Sequence, residues 1–204
     1  MWIKICGLTS AAAVNTALEL QVEALGFVFS PSVRQLSSAR ARELAERARG
    51  RARCVAVTRH PTQALVDEIL QGFAPDVLQS DLEDLAALRL PATLELLPVV
   101  RDVAAPPPRL PVRLLFEGAR SGAGVPGDWN AAAALAPRTQ LILAGGLSPG
   151  NVAAAIAAVR PFGVDVSSGV EERPGVKSPA AMEQFVRAAR AAAARYPRIT
   201  EDTQ

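Results

Sequence analysis

Histidine is all but missing from this chain. His60 is the single one among 204 residues, and no thiols or carboxylates gather around it in sequence at ligand spacing. Neither a zinc centre nor a serine–histidine–aspartate triad therefore has its parts, the more so because His60 precedes Pro61 in a loop and no nucleophile elbow occurs. We read His60 as an ordinary loop residue and expect no metal and no cofactor. Cysteine is nearly as scarce: Cys6 and Cys54 each fall in what reads as a strand, so a disulfide framework is excluded. No run reaches the ~18 apolar residues of a membrane span, and the start carries no basic region followed by an apolar stretch and a small-residue cleavage site. A cytoplasmic location is the expectation, with no membrane partner. Charge of either sign is also lacking in excess, with 22 basic against 20 acidic side chains. The arginines are scattered, often close to acidic residues, which argues against nucleic acid but leaves a few free to meet one anionic small molecule. Neither a dinucleotide fingerprint nor a nucleotide P-loop appears, so any phosphate belongs to the substrate.

What the chain does have is apolar residues, half of the total, in short runs that alternate with amphipathic stretches. Residues 2–6 read as a buried parallel strand, and Thr9 or Ser10 caps a helix to about residue 21. The unit then repeats: strand 24–29, helix from Ser37 or Ser38 to about 49, strand 53–58, helix from Thr62 to 71, strand 76–79 and a brief helix 81–88. Residues 93–99 alternate less cleanly and give a fifth strand, followed by the proline run 106–108, a rigid loop where a helix would normally sit. Strands 113–116, 141–144 and 163–166 follow, with helices after each, the one after strand seven opening near Asn151 and the last spanning 179–194. Eight strands alternating with about seven helices fit an α/β fold, a single (β/α)8 TIM barrel over residues 1–199, with 200–204 a frayed tail.

Such barrels work at the carboxyl ends of their strands. After strand seven comes Gly145-Gly146-Leu147-Ser148-Pro149-Gly150-Asn151, and after strand eight Ser167-Ser168-Gly169-Val170. Glycines let backbone N–H groups approach an anion, and these two loops are the recurrent phosphate site of the fold. A further glycine-rich stretch, residues 117–124, follows strand six, and Glu117 opens it with a carboxyl group at the barrel mouth. Asp165 sits between two valines, where a carboxylate is costly without a partner or a ligand. Arg34 can grip a substrate carboxylate with its planar fork. Each of these three also has an ordinary structural reading. So does Cys6, since free cysteine is usually a small buried hydrophobe.

Taken together, the motifs resemble one family. KICGLT resembles the KICG signature of the phosphoribosylanthranilate isomerases of tryptophan biosynthesis, GFVFSPSVR their GFVF segment with its arginine, LILAGGLSPGNV their AGGL phosphate motif and VDVSSGVEERPGVK their VDVSSGVE motif. The resemblance implies an Amadori rearrangement of N-(5'-phosphoribosyl)anthranilate, a small phosphorylated substrate, without cofactor. It implies Cys6 as general base, Arg34 as the residue associated with the anthranilate carboxylate, Gly145, Gly146, Ser167, Ser168 and Gly169 on the phosphate loops, and Asp165 near the substrate. Three places depart from the pattern. The family's general acid is an aspartate, and counting back from the Asp128-Trp129 pair puts Glu117 in its place, one methylene longer. The family's QLHG after strand four is replaced by Gln79-Ser80-Asp81, and its GG-Ser/Thr-G stretch is thinned to Ser121-Gly122-Ala123-Gly124. The related histidine-pathway sugar isomerase has an aspartate where Cys6 stands and a second phosphate motif that has no counterpart here. A catalytically silent phosphate-binding barrel is the alternative from another class. A thiol with a reference pKa of about 8.5 must act as thiolate or be activated, and the substrate's developing positive charge and the barrel's polar mouth are the candidates for doing so.

Overall fold

In the computed structural model, which describes residues 1–101, 109–118 and 128–196, eight parallel strands close into a barrel in chain order. They are β1 (Trp2–Cys6), β2 (Ala24–Val28), β3 (Arg53–Val57), β4 (Val77–Asp81), β5 (Glu95–Arg101), β6 (Arg113–Glu117), β7 (Gln140–Leu143) and β8 (Gly163–Val166). The helices between them are α1 (Ala11–Glu19), α2 (Ser38–Ala45), α3 (Gln63–Gly72), α4 (Leu82–Ala87), α5 (Trp129–Leu135) and α6 (Val152–Val159), and α7 (Pro179–Arg195) closes the ring. The proline run 106–108, the stretch 121–124 and the tail 200–204 lie outside the described residues.

Local chemistry starts the first three helices where a cap was read and two more where none was. Ser10, Ser37, Thr62 and Ser178 each accept a hydrogen bond from a backbone N–H three residues on, a contribution of about 1 kcal/mol apiece. Asp128 does the same for α5, accepting from the N–H groups of Asn130 and Ala131.

The period of two in a strand then sorts every residue to the helix side or the barrel interior. Ile3, Ile5, Leu25, Leu78, Val100, Phe116, Val164 and Val166 join the large core beneath the helices. Ala24, Val55, Val77, Leu97, Val99, Leu115, Ile142 and Ala144 fill the barrel interior. The same parity turns Lys4, Cys6, Gln79, Asp81, Arg101, Glu117 and Asp165 inward, most of them at the carboxyl end. Interior bulk is matched across the strand pairs: Trp2 faces Gly163, Lys4 faces Ala24 and Cys6 faces Gly26.

Two strands run two residues past their predicted ends, β4 to Asp81 and β5 to Arg101. A small antiparallel pair, β9 (Glu171–Arg173) with β10 (Val176–Lys177), follows β8 and has no counterpart in the sequence reading.

Candidate active site

Most of the predicted site residues converge. One cavity at the carboxyl face is lined by Cys6, Arg34, Glu117, Asp165, Gly145, Gly146, Ser167 and Ser168 together. The next residue, Gly169, sits behind it, where it ties the two phosphate-type loops together. A Cβ on Gly169 would lie 1.9 Å from the carbonyl oxygen of Leu147, so only glycine lets the β7 and β8 loops touch. Asn151 fastens the β7 loop from inside, donating from Nδ2 to the Gly146 carbonyl and accepting from the Ser148 N–H, both at 2.8 Å. Gly145 and Gly146 are held at positive φ, a backbone shape that costs glycine little.

The surroundings of Cys6 are ionic. Lys4 is completely buried, and its ammonium donates to Asp165 at 2.9 Å across the β1–β8 pair. Burial pulls the Lys4 ammonium down, but Asp165 and Cys6 more than restore it and leave it raised. Burial pushes the Cys6 thiol up, and Lys4 and Lys177 pull against that while Asp165 adds to it; the net direction is upward.

Arg34 crosses the top of Gly7, where an added Cβ would sit 2.5 Å from its Cδ. Its Nε and Nη2 donate to the two carboxylate oxygens of Glu171, each at 2.7 Å. Lys177 donates to the same Glu171 at 2.7 Å and to the Ser167 carbonyl at 2.9 Å. The β9–β10 hairpin thus clamps Arg34 to the β8 loop. Burial pushes the Glu171 carboxyl up, and hydrogen bonds from Arg34 and Lys177 overcome it and hold it below the usual carboxylate range.

Across the mouth, Arg101 lies between two carboxylates. It donates to Glu117 at 2.8 Å and reaches Asp81 at 2.8 Å. Burial lowers the Arg101 guanidinium, and Asp81 and Glu117 raise it further than burial lowers it. Two of the departures from the family pattern, at strands four and six, therefore touch one arginine. Gln79, beside them, keeps its buried Oε1 without a hydrogen-bond donor among the described residues.

His60, read as an ordinary loop residue, bonds Asp84 through both its backbone N–H and Nδ1. With Asp81 these form a group whose ligand-type atoms lie within 4.8 Å of one another. Asp81, however, already meets Arg101 and, at 3.8 Å, Arg59. No helix among the described residues is long and apolar enough to cross a membrane.

Lys4, Asp81, Arg101, Glu171 and Lys177 were not singled out from the sequence. The signal for Lys4 was available: a lysine on the same strand face as Cys6, in a chain whose strand eight holds an aspartate in want of a partner.

A closed barrel with ionisable groups gathered at the carboxyl face of its strands, beside glycine loops after strands seven and eight, defines the class: a (β/α)8-barrel enzyme. The family profile described as N-(5'phosphoribosyl)anthranilate (PRA) isomerase matches residues 3–188, and the chain belongs to that family. The N-(5'-phosphoribosyl)anthranilate isomerase of Nitrobacter hamburgensis is 41% identical over 93% of each chain. The crystal structure of TrpF from Jonesia denitrificans superposes with a TM-score of 0.79 at 35% identity, covering 97% of this chain and all of that one. A solved phosphoribosyl anthranilate isomerase in complex with reduced 1-(o-carboxyphenylamino)-1-deoxyribulose 5-phosphate superposes with a TM-score of 0.74 at 25% identity, over 94% of this chain and 99% of that one.

Proposed function

We propose that the protein is an isomerase of tryptophan biosynthesis that converts N-(5'-phosphoribosyl)anthranilate to 1-(2-carboxyphenylamino)-1-deoxyribulose 5-phosphate, with Cys6 as general base and Glu117 as general acid. The observation that carries this is the shared cavity: Cys6 and Glu117 line the same mouth as the two glycine loops, in a chain of the PRA isomerase family.

In this mechanism the phosphate anchors the substrate on Gly145, Gly146, Ser167 and Ser168, with Gly169 holding the two loops together, and Arg34, held by Glu171, turns its remaining Nη1 to the anthranilate carboxylate. Glu117, which must be protonated and so give up its ion pair with Arg101, passes its proton to the ring oxygen, the furanose opens, and the C1–N bond becomes an iminium. That positive charge acidifies C2–H. Cys6 as thiolate removes the C2 proton, the C–H electron pair moves toward nitrogen, and the resulting enaminol tautomerises to the ketone. General acid–base steps of this kind contribute about 10²–10⁴-fold each. Asp165 acts through Lys4 on the same side as the base. The two free, buried thiols suit the cytoplasm, where such groups stay reduced.

The test is direct. Purified protein given freshly made phosphoribosylanthranilate should remove its fluorescence far faster than the compound decays alone, and the gene should rescue a tryptophan auxotroph lacking the isomerase. Decay at the spontaneous rate, with tight binding of a product analogue, would instead identify a silent binding barrel.

A further inference from the structure

The ionic groups around Cys6 do not balance. Three cations, Lys4, Arg34 and Lys177, face two carboxylates, Asp165 and Glu171; they come from β1, β8, the loop after β2, β9 and β10, while β2 itself brings only the uncharged Gly26 against the sulfur. With Cys6 as a neutral thiol the cluster keeps one positive charge. Two of the three cations are shut away from water, Lys4 0% and Lys177 6% exposed, and an uncompensated buried charge is costly. A negative sulfur would cancel it.

Geometry selects the cation. Lys4 and Cys6 stand two apart on β1, so both project into the barrel, and β2 answers them with only Ala24 and Gly26. A methyl group on Gly26 would lie 2.9 Å from Cys6 Sγ and 3.1 Å from Lys4 Cε. Sulfur and lysine stem therefore share the hollow that glycine leaves. Lys177, by contrast, is bound to Glu171 and to the Ser167 carbonyl, beneath the β8 loop where the phosphate would sit.

We propose that Lys4 is a positioning residue for the base: its buried ammonium, steadied by Asp165, is the counter-cation against which Cys6 holds negative charge before taking the C2 proton. The proposal rests on Cys6 as general base. Through the step Lys4 keeps its own protons, the sulfur gains one, and the surplus positive charge reappears beside the newly formed enaminol. The directions at the sulfur agree, since burial pushes the thiol up, Lys4 and Lys177 pull it down and Asp165 pushes it up.

Ligand-free protein should be alkylated with iodoacetamide from about pH 6 to about pH 10, following the Cys6 peptide by mass spectrometry apart from that of Cys54. Lys4→Met should move the Cys6 midpoint up by about one pH unit or more, and Asp165→Asn should move it down. Both variants break the same ion pair, so shifts in the same direction, or none, would mean a structural role and overturn the proposal. Should Lys4→Met fail to fold, the double variant Lys4→Met/Asp165→Asn leaves neither charge unpaired. Its midpoint above that of Asp165→Asn alone supports the counter-cation, and no difference overturns it. Lys177→Met gives the remaining contrast: if it moves the sulfur more than Lys4→Met does, the counter-cation is misassigned. In turnover, Lys4→Met should lower kcat about tenfold near neutral pH with KM within about twofold, recovering as pH rises; a loss that is flat with pH counts against it. The alkylation readout involves no substrate, so it stands or falls separately from the isomerase activity.

Discussion

The two sides of the barrel mouth are built on different plans. On the β1–β8 side, the thiol sits among Lys4, Asp165, Lys177, Glu171 and Arg34, residues drawn from both ends of the chain and all largely buried. On the β4–β6 side, Glu117 meets Arg101, a largely buried arginine that Asp81 shares. The first side carries the family's motifs unbroken, whereas the departures at strands four and six fall on the second. The complete burial of Lys4 explains the contrast. Replacing one member of the Lys4–Asp165 pair strands a buried charge, at a cost of about 3–5 kcal/mol. Changes beside Arg101 are cheaper, because solvent and a flexible guanidinium can absorb a methylene.

The largest test of that contrast is Cys6→Ala. We expect turnover to fall by about 10³-fold or more, with binding of a product analogue nearly unchanged, measured by titration calorimetry beside steady-state kinetics. A variant that kept a tenth of its activity would remove the base from the rigid side and with it the reason for the ionic cluster. Glu117→Asp probes the adaptable side. Arg101 meets the glutamate at 2.8 Å, so shortening the acid draws its carboxyl away from both arginine and substrate. A misplacement of ~1 Å costs up to about 100-fold, and we expect a loss of about 10- to 100-fold in kcat. A gain in rate would mean that the longer acid is a compromise and Arg101 its makeshift support. The loss should also be smaller in an Arg101→Lys background, because two changes at one ion pair are not additive.

The same contrast governs how much was legible in the sequence. Strand β8 has the predicted bounds, and Ser10, Ser37 and Thr62 cap the helices they were read to cap. The apolar period and the cap chemistry are local, so a single stretch of chain displays them. Strand β4 was read two residues short because its last residues, Ser80-Asp81, are polar; β5 was ended at Val99, before the apolar Val100 and the polar Arg101. Hydrophobic patterning stops where a strand enters the mouth, since polarity there serves the site rather than the core. Asp81 and Arg101 were missed for that reason. Lys4 was missed differently. Asp165 was recognised as a carboxylate needing a partner, but the partner lies 161 positions away and meets it only when β1 closes on β8. Glu171 and Lys177 belong to strands of three and two residues, too short to leave a period.

The smallest expected effect separates the two sides by kind rather than size. Glu171→Gln and Glu117→Gln are equally isosteric, yet the first should act on stability and, through Arg34, on KM, and the second on kcat. Glu171 has a folded pKa below its ordinary 4.5, with Arg34 and Lys177 overcoming the effect of burial. For a carboxyl depressed in the fold, the stabilisation is fully present above the unfolded pKa and is lost as pH falls through the folded one. Near neutral pH we expect Glu171→Gln to lose about 2 kcal/mol, the range for hydrogen bonds to charged groups, or a drop of about 4–8 °C in Tm for a chain of this size. As pH falls below about 4.5 the gap to the wild type should close, because the wild type then loses the same charge. Differential scanning calorimetry across about pH 3 to about pH 7 reads this. A gap that stayed constant with pH would mean that Glu171 holds Arg34 by shape and hydrogen bonding alone, and that the rigid side of the mouth owes its rigidity to packing instead of to charge.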